Sequence, residues 1–330
     1  MTRVFRKVDD MPTTNRSNNA RGFRRTSVIV MSACVLAGLV SYSSGVAAQA
    51  ARQFASPEEA AKALIDTARK GTVDELVAIF GAEGKDLIES ADPANARQGR
   101  QVFNIAVREQ WRLEDASPDR KTLVIGNEEW PFPVPLVKGA KGWSFDTAAG
   151  KEEIIARRIG RNELAAIDSV RAYVAAQRRY AEQGHDGNPA GVHATKLVSD
   201  PGKENGLYWP AKTGQKRSPL GDLVAQASAE GRTVGGDVSK PAPFHGYYFK
   251  ILTAQGGSAP GGAKSYVVKG LMSGGFALVA WPAEYDVTGV MTFLVNQDGT
   301  VREKDLGPDT DAAARKMTAY NPDASWRPVQ

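Results

Sequence analysis

The sequence predicts an α+β protein: N-terminal helices with a small antiparallel sheet, then a long helix packed on an antiparallel meander. Three observations carry this. Ser56–Phe80 reads as two amphipathic helices, the first capped by Ser56. Apolar residues recur at roughly helical spacing from Lys151 to Gln183. Pro243–Pro308 breaks into short runs of strand period with glycine turns between them.

Residues 1–50 read as an export signal. A basic stretch ends at Phe23-Arg24-Arg25, Val28–Val40 is apolar, and small residues lead to Val46-Ala47-Ala48 and Ala48-Gln49-Ala50. Both triplets are small-x-small sites, so cleavage is expected after Ala48 or Ala50. The apolar run of about 13 residues is short for a membrane span, and an uncleaved anchor helix is the other reading. Cys34 offers a lipidation site, but the apolar run continues past it, which favours ordinary cleavage. Arg24-Arg25 leaves the twin-arginine route open, and Met11 is a second candidate start.

The charge of the chain belongs to this signal. Seven of the 42 Lys and Arg and two of the 37 Asp and Glu lie in the first 50 residues, leaving 35 of each. The remainder has no net charge to draw it to nucleic acid. It also has no cysteine, so its core must form by burial alone. A periplasmic protein without a stable membrane span after cleavage is expected, with a domain over 51–150 and a second over 151–330.

In the first domain, Ser56-Pro57-Glu58-Glu59 starts a helix: Ser56 caps, Pro57 takes the first position, and two acids face the positive end of the dipole. Ala61, Leu64, Ile65 and Ala68 form its buried stripe, and Gly71 stops it. Val73–Phe80 offers Val73, Leu76, Val77 and Phe80 as a second stripe. Arg97–Leu113 is a third candidate, with Val102, Phe103, Ala106 and Trp111 facing the core. The period then changes to two. Lys121–Ile125 and Trp143–Asp146 are short strands. In Trp130–Leu136, Trp130, Phe132, Val134 and Leu136 point to one face, while Pro131, Pro133 and Pro135 remove donors along one side. That segment is an edge strand with one blocked edge or a polyproline stretch.

The second domain opens on the long helical region, with Ile155, Ile159, Ile167, Val170, Val174 and Gln177 in its stripe. Gly160 and Asn162 suit a kink or a restart capped by Asn162. Ser218-Pro219-Leu220 repeats the cap-plus-proline start and predicts a short helix to about Ala229. In the meander, Phe276–Trp281 is apolar on both faces, as a covered central strand would be, and Val290–Val295 behaves alike. Asp298-Gly299 predicts a tight turn into Thr300–Glu303.

No catalytic constellation assembles from these residues. There is no Gly-x-Ser-x-Gly elbow and no phosphate-binding loop. His185 and His193 have no metal-ligand spacing and read as exposed loop residues; with no other cysteine than Cys34, no metal and no cofactor are expected. Four residues stand out as contact candidates. Glu163 lies beside the apolar stripe, as a buried carboxylate receiving a partner or as an acid satisfied by the dipole or by Arg161. Tyr208 and Trp209 are adjacent loop aromatics that contact a ligand or plug the loop onto the core. His245 precedes the Gly246-Tyr247-Tyr248 strand start and reads as structural.

The strings WPFPVPLV, WSFDTAAGKEEIIARRIGRNELAAI, AYVAAQRRYA, GLYWP, HGYYFKILTAQG, GGFALVAWPAEYDVTGVMTF and NQDGTVREKDLGPDT are similar to a family of exported bacterial proteins, domain of unknown function twenty-nine fifty. The resemblance covers nearly all of residues 54–327. It implies no activity, so it carries over no catalytic residue. Asn162–Tyr180, with Gly246-Tyr247-Tyr248-Phe249, Ala280-Trp281-Pro282, Gly289 and Asp298-Gly299, resembles the soluble part of pilin-like proteins, which implies a long helix on an antiparallel meander. The chain departs from them in lacking an apolar membrane helix directly ahead of that region. Ser56–Phe80 resembles the opening helices of nuclear-transport-factor-like domains.

Two functions are therefore expected in competition. One is a non-enzymatic binding or envelope-assembly module that meets an envelope protein or a small ligand. The other is a small-ligand carrier or enzyme using a cavity in the N-terminal domain.

Overall fold

The computed structural model describes residues 50–88, 93–210, 217–229 and 242–329. Residues 1–49, which hold Cys34 and nearly all of the stretch read as an export signal, lie outside the described residues. The described residues form one compact unit with two apolar cores.

The first core is built by α1 (Pro57–Lys70), α2 (Val73–Phe80), the one-turn α3 (Lys85–Ile88), α4 (Pro93–Glu109) and a small sheet. The Ser56 hydroxyl accepts from Glu59 N at 3.1 Å and starts α1. Thr72 and Glu75 exchange hydrogen bonds in a capping box at α2. Ala60, Ala61, Leu64 and Ala68 of α1 meet Leu76, Ile79 and Phe80 of α2. Val73, expected inside, is exposed.

The third helix is shorter at its end than its periodicity suggests. It stops at Glu109, and Trp111 begins a strand. Its inward face carries Phe103, Ala106 and Val107, while Val102 is 60% exposed. Arg100 donates to the carbonyls of Ala68 (2.8 Å), Thr67 (3.2 Å) and Gly71 (2.6 Å) at the end of α1. Thr67 O already accepts from Gly71 N, and Arg100 adds its donors at this helix end, tying that side of α4 to α1.

The sheet holds β1 (Trp111–Ser117), β2 (Arg120–Ile125), β3 (Trp130–Pro131), β4 (Leu136–Gly139) and β5 (Gly142–Phe145), in order β1-β2-β4-β5 with β3 also on β2. The proline segment is one strand interrupted. β3 pairs with the far end of β2 and β4 with its near end, and the register slips between them. The break at 132–135 falls where the prolines withdraw donors. Phe132 N still reaches Leu123 O at 2.7 Å, and Asp146 N reaches Pro135 O at 2.8 Å. Val134 and Leu136 are buried and Phe132 is half-buried, but Trp130 is 44% exposed. The single buried face therefore does not extend to Trp130, whose ring lies under the Arg157 guanidinium at 5.4 Å.

α5 (Thr147–Ala181) is one continuous helix of 35 residues. Asp146 caps it, accepting from Ala149 N at 3.2 Å. There is no restart at Asn162, because that side chain is committed elsewhere, to the carbonyl of Thr288 at 2.8 Å. The first turn belongs to the first core: Thr147 donates to Phe80 O at 2.6 Å, and Gly150 lies so close to Val134 that a Cβ would fall 2.6 Å from it. The later turns bury Ala166, Ile167, Val170, Tyr173, Val174 and Tyr180 in the second core. Ile155 and Ile159 are only half-buried.

The short helix α6 (Gly221–Ala229) starts later than expected. Ser218 turns the chain through its carbonyl, which accepts from Gly221 N at 2.8 Å, and its hydroxyl has no partner among the described residues. Then come β6 (Tyr247–Leu252), β7 (Ala254–Gln255), β8 (Lys264–Ser265), β9 (Val267–Val268), β10 (Leu271–Met272), β11 (Ala277–Pro282), β12 (Met291–Asn296) and β13 (Arg302–Asp305), followed by α7 (Thr310–Lys316), β14 (Ala319–Tyr320) and β15 (Arg327–Pro328). The main sheet has the antiparallel order β15-β13-β12-β11-β6. Every residue of β11 is buried, because helices cover both faces. Tyr173 of α5 meets Phe276 edge-on at 5.7 Å and donates to Ala277 O at 3.1 Å. On the other face, Trp281 Nε1 donates to Asp311 at 2.8 Å, and the Arg315 guanidinium lies over Tyr248 and Trp281. The run 266–272 is a two-strand hairpin, β9–β10, turned by Lys269-Gly270 with both φ positive.

Candidate functional site

The contact candidates fall in different places. Glu163 is a fastening. Its Oε1 accepts from Val290 N and Met291 N, both at 2.9 Å. With Asn162 on Thr288 O, it ties α5 to the chain entering β12. The Tyr247 hydroxyl, which donates to Met291 O at 2.9 Å, lies beside it. Burial first, and then the Glu163 charge, push that phenol well above its ordinary value. Gly289 leaves the room this needs: a Cβ there would sit 2.2 Å from the hydroxyl.

His245 sits in a turn. Phe244 and Tyr247 exchange backbone hydrogen bonds at 2.8 and 3.0 Å, with His245 and Gly246 between them at φ 48 and 74. That is the two-residue hairpin geometry requiring positive φ at both central positions. Its ring meets Phe244 at 4.3 Å.

Tyr208 and Trp209 part company. Tyr208 is held by its backbone, bridging Val198, with Tyr208 N on Leu197 O at 2.9 Å. Trp209 forms one wall of a cleft of about 290 Å³. The other lining residues are Arg179, Glu182 and Gln183 at the end of α5, His185, Glu204, Arg217 and Pro219.

The end of α5 and two loops position this cleft. Gln177 is fully buried. Its amide donates to Tyr173 Oη (3.0 Å) and Ala194 O (2.8 Å) and accepts from Ala194 N (2.9 Å), docking the loop after the helix. Tyr180 donates to Glu204 O at 2.8 Å, and Asp186 accepts from Glu204 N at 3.0 Å, stitching the second loop to the first. Burial, then Asp186 and Glu204, push the Tyr180 phenol up to about 12. Arg179 donates to Pro219 O, and Arg217 pairs with Asp222 at 2.8 Å.

His185 is 6% exposed, not the exposed loop residue its sequence context suggests. It is sandwiched: Tyr180 stacks on it at 4.2 Å and Trp209 leans against it at 5.5 Å. Its Nδ1 lies 3.0 Å from Glu204 Oε2. A carboxylate only accepts, so Nδ1 carries the proton. Nε2 is buried with no partner among the described residues. His193 is half-buried elsewhere, with Nδ1 donating to Met272 O at 3.0 Å, and burial holds it below its ordinary value.

The cleft was legible in part. Trp209 stood out as a loop aromatic, but His185 and Glu204 come together through Tyr180 and Asp186, and nothing local to Glu204 marks it. Among the described residues, no group of three or more His, Cys, Asp or Glu is placed to hold a metal ion. Nor is any helix there long and apolar enough to cross a membrane.

Residues 51–329 match the family described as Protein of unknown function (DUF2950). The chain belongs to that family. No curated protein and no solved structure matches it. The DUF2950 match spans both cores and the cleft, so the helix shared by the cores lies wholly within the family's extent.

Proposed function

We propose that this DUF2950 protein is an exported, non-enzymatic binding module of the cell envelope, and that the Trp209 cleft holds its ligand. One observation carries the reading: a tryptophan, partly buried against the second core, walls an open cleft beside a buried histidine whose Nε2 has no partner among the described residues. Small-molecule sites combine such an apolar wall with a few convergent polar groups. The long helix laid on an antiparallel meander supports a pilin-like reading of this half. The basic stretch, the apolar run and the small-x-small triplets of residues 1–50 support export.

Two measurements test this. Intact mass of the periplasmic fraction should place the N-terminus at Gln49 or Ala51; retention of residues 1–50, or a lipid on Cys34, defeats the soluble periplasmic reading. A thermal-shift screen of metabolites and envelope fragments should give hits with the wild type that Trp209→Ala loses. A screen in which both proteins respond alike defeats the binding site.

A further inference from the structure

We infer that the protein self-associates, with the outer face of α5 packed antiparallel on α5 of a second copy about a two-fold axis at residue 162. This is independent of the Trp209 cleft.

The outward stripe of α5 reads Glu153, Arg157, Gly160, Leu164, Asp168 and Arg171, spaced by three or four residues, so the six share one side of the helix. It lies across the helix from Ala166, Val170 and Tyr173, which are buried in the second core. All six are exposed except Arg157, which is half-buried.

Two of them are unexplained by one copy alone. Leu164 is 66% exposed, the most exposed of the large apolar side chains among the described residues. Gly160 sits in the middle of the helix, where only proline is less favourable. Its φ is not positive, and a Cβ there would have nothing within 4 Å, so nothing described around it requires a glycine. A notch one turn from an exposed leucine is a hole beside a knob. A second copy turned through 180° sets each Leu164 over the other's Gly160, and the missing side chain lets the two helices approach closely. Such a contact is isologous and closes at two copies.

The charges fix the direction. Along the stripe the groups run minus, plus, glycine, leucine, minus, plus. Reversed, they run plus, minus, leucine, glycine, plus, minus, so every group meets its complement. The axis that exchanges 160 with 164 also exchanges 153 with 171, and it brings 157 within one residue of 168. Glu153 then faces Arg171, and Arg157 faces Asp168. A parallel pair in register would set each charge against its own kind. Within one copy, Glu153 holds Arg157 at 2.7 Å and Asp168 lies 3.6 Å from Arg171. Association therefore joins two intrahelical pairs into a four-charge cluster on each side of the axis. Arg157 is already fixed by its bond to Pro131 O at 2.8 Å. Glu153 and Arg171 are about half exposed and reach outward. One side of about five helical turns falls short of the ~1,600 Å² of a standard interface, so the dimer is weak and forms at roughly 0.1 mM.

The test is sedimentation equilibrium of the protein purified as the cell produces it, from about 10 µM to about 1 mM. A reversible monomer–dimer equilibrium is expected. Glu153→Arg and Arg171→Glu should each weaken it about ten-fold or more. The two together in one chain should restore it, because opposite charges again meet across the axis. Gly160→Leu should abolish the dimer while the melting temperature of the dilute protein holds or rises, since leucine is the better helix former. Those opposite directions separate a blocked interface from a damaged fold. A monomer throughout the range overturns the inference. So does a dimer that Gly160→Leu leaves intact, which would lie on another face. Single charge variants that the double variant fails to rescue overturn the antiparallel pairing.

Discussion

Removing the Glu163 carboxylate should loosen α5 from the sheet far more than removing its charge. One oxygen accepts from two consecutive backbone N–H groups, each at 2.9 Å. Charge-assisted bonds of this kind contribute ~1.5–3 kcal/mol each, but the donors are only part-buried and water can re-solvate them in the variant. Glu163→Ala is therefore expected to cost about 2–4 kcal/mol. Glu163→Gln keeps an oxygen in place and gives up only charge assistance, at about 1 kcal/mol. Urea unfolding followed by tryptophan fluorescence measures both, with the slope against urea checked for constancy. The ordering is the sharper part. An Ala variant within about 0.5 kcal/mol of wild type, the ordinary scatter of a surface change, would refute the latch. A Gln variant as damaged as the Ala variant would assign the effect to charge rather than to the two orphaned donors.

Three further outcomes are expected. Val170→Asp with Val174→Asp should unfold the second core, since both valines are buried against the sheet and an unpaired carboxylate there costs several kcal/mol; an unchanged circular-dichroism melt would show the stripe is not packed. Phe132→Ala should cost about 2–3 kcal/mol in urea melts, below the ~3–5 of a fully buried phenylalanine, because the ring is half-buried although Phe80, Phe103, Trp130 and Phe145 surround it. His193 has a folded-state pKa below its unfolded value, so the unfolded chain binds the proton first and stability falls as pH drops below about 6.5, levelling off below the folded value. His193→Gln should flatten that part of the stability-against-pH curve, and a curve with the same slope in both proteins would count against it.

Local chemistry was readable wherever one residue type settles one backbone position. Ser56 and Pro57 fixed the start of α1, and the Asp298-Gly299 turn lies between β12 and β13, with Gly299 at φ 84. Alternation with both sides apolar marked the central strand β11. Three of the differences come from side chains acting at long range. Arg100 ties one side of α4 to the end of α1, which hydrophobic spacing could not register. Asn162 looked like a helix cap because its actual acceptor, Thr288 O, is 126 residues away. His185 looked exposed because its loop is polar, while the rings that bury it come from α5 and from a loop beyond residue 200. A neighbourhood made by tertiary packing leaves no period in the sequence. The interrupted proline strand is a milder case, since the missing donors predicted a disturbed edge but not where the register would slip.

The uninterrupted course of α5 has a mechanical consequence. At 1.5 Å per residue its 35 residues make a rod about 50 Å long. Its first turn is pinned by Thr147 and Gly150 to one body of packed side chains, its later turns are pinned to the other, and its last residues form part of the cleft. Such a rod has no hinge along its length. Displacement of Arg179 or Glu182 at one end is carried as a tilt or a rotation to the other, instead of being absorbed between them. Melting either end strips packing from a helix the other end depends on. Calorimetry should accordingly record one endotherm whose van't Hoff and calorimetric enthalpies agree, where two independently tethered bodies would give two.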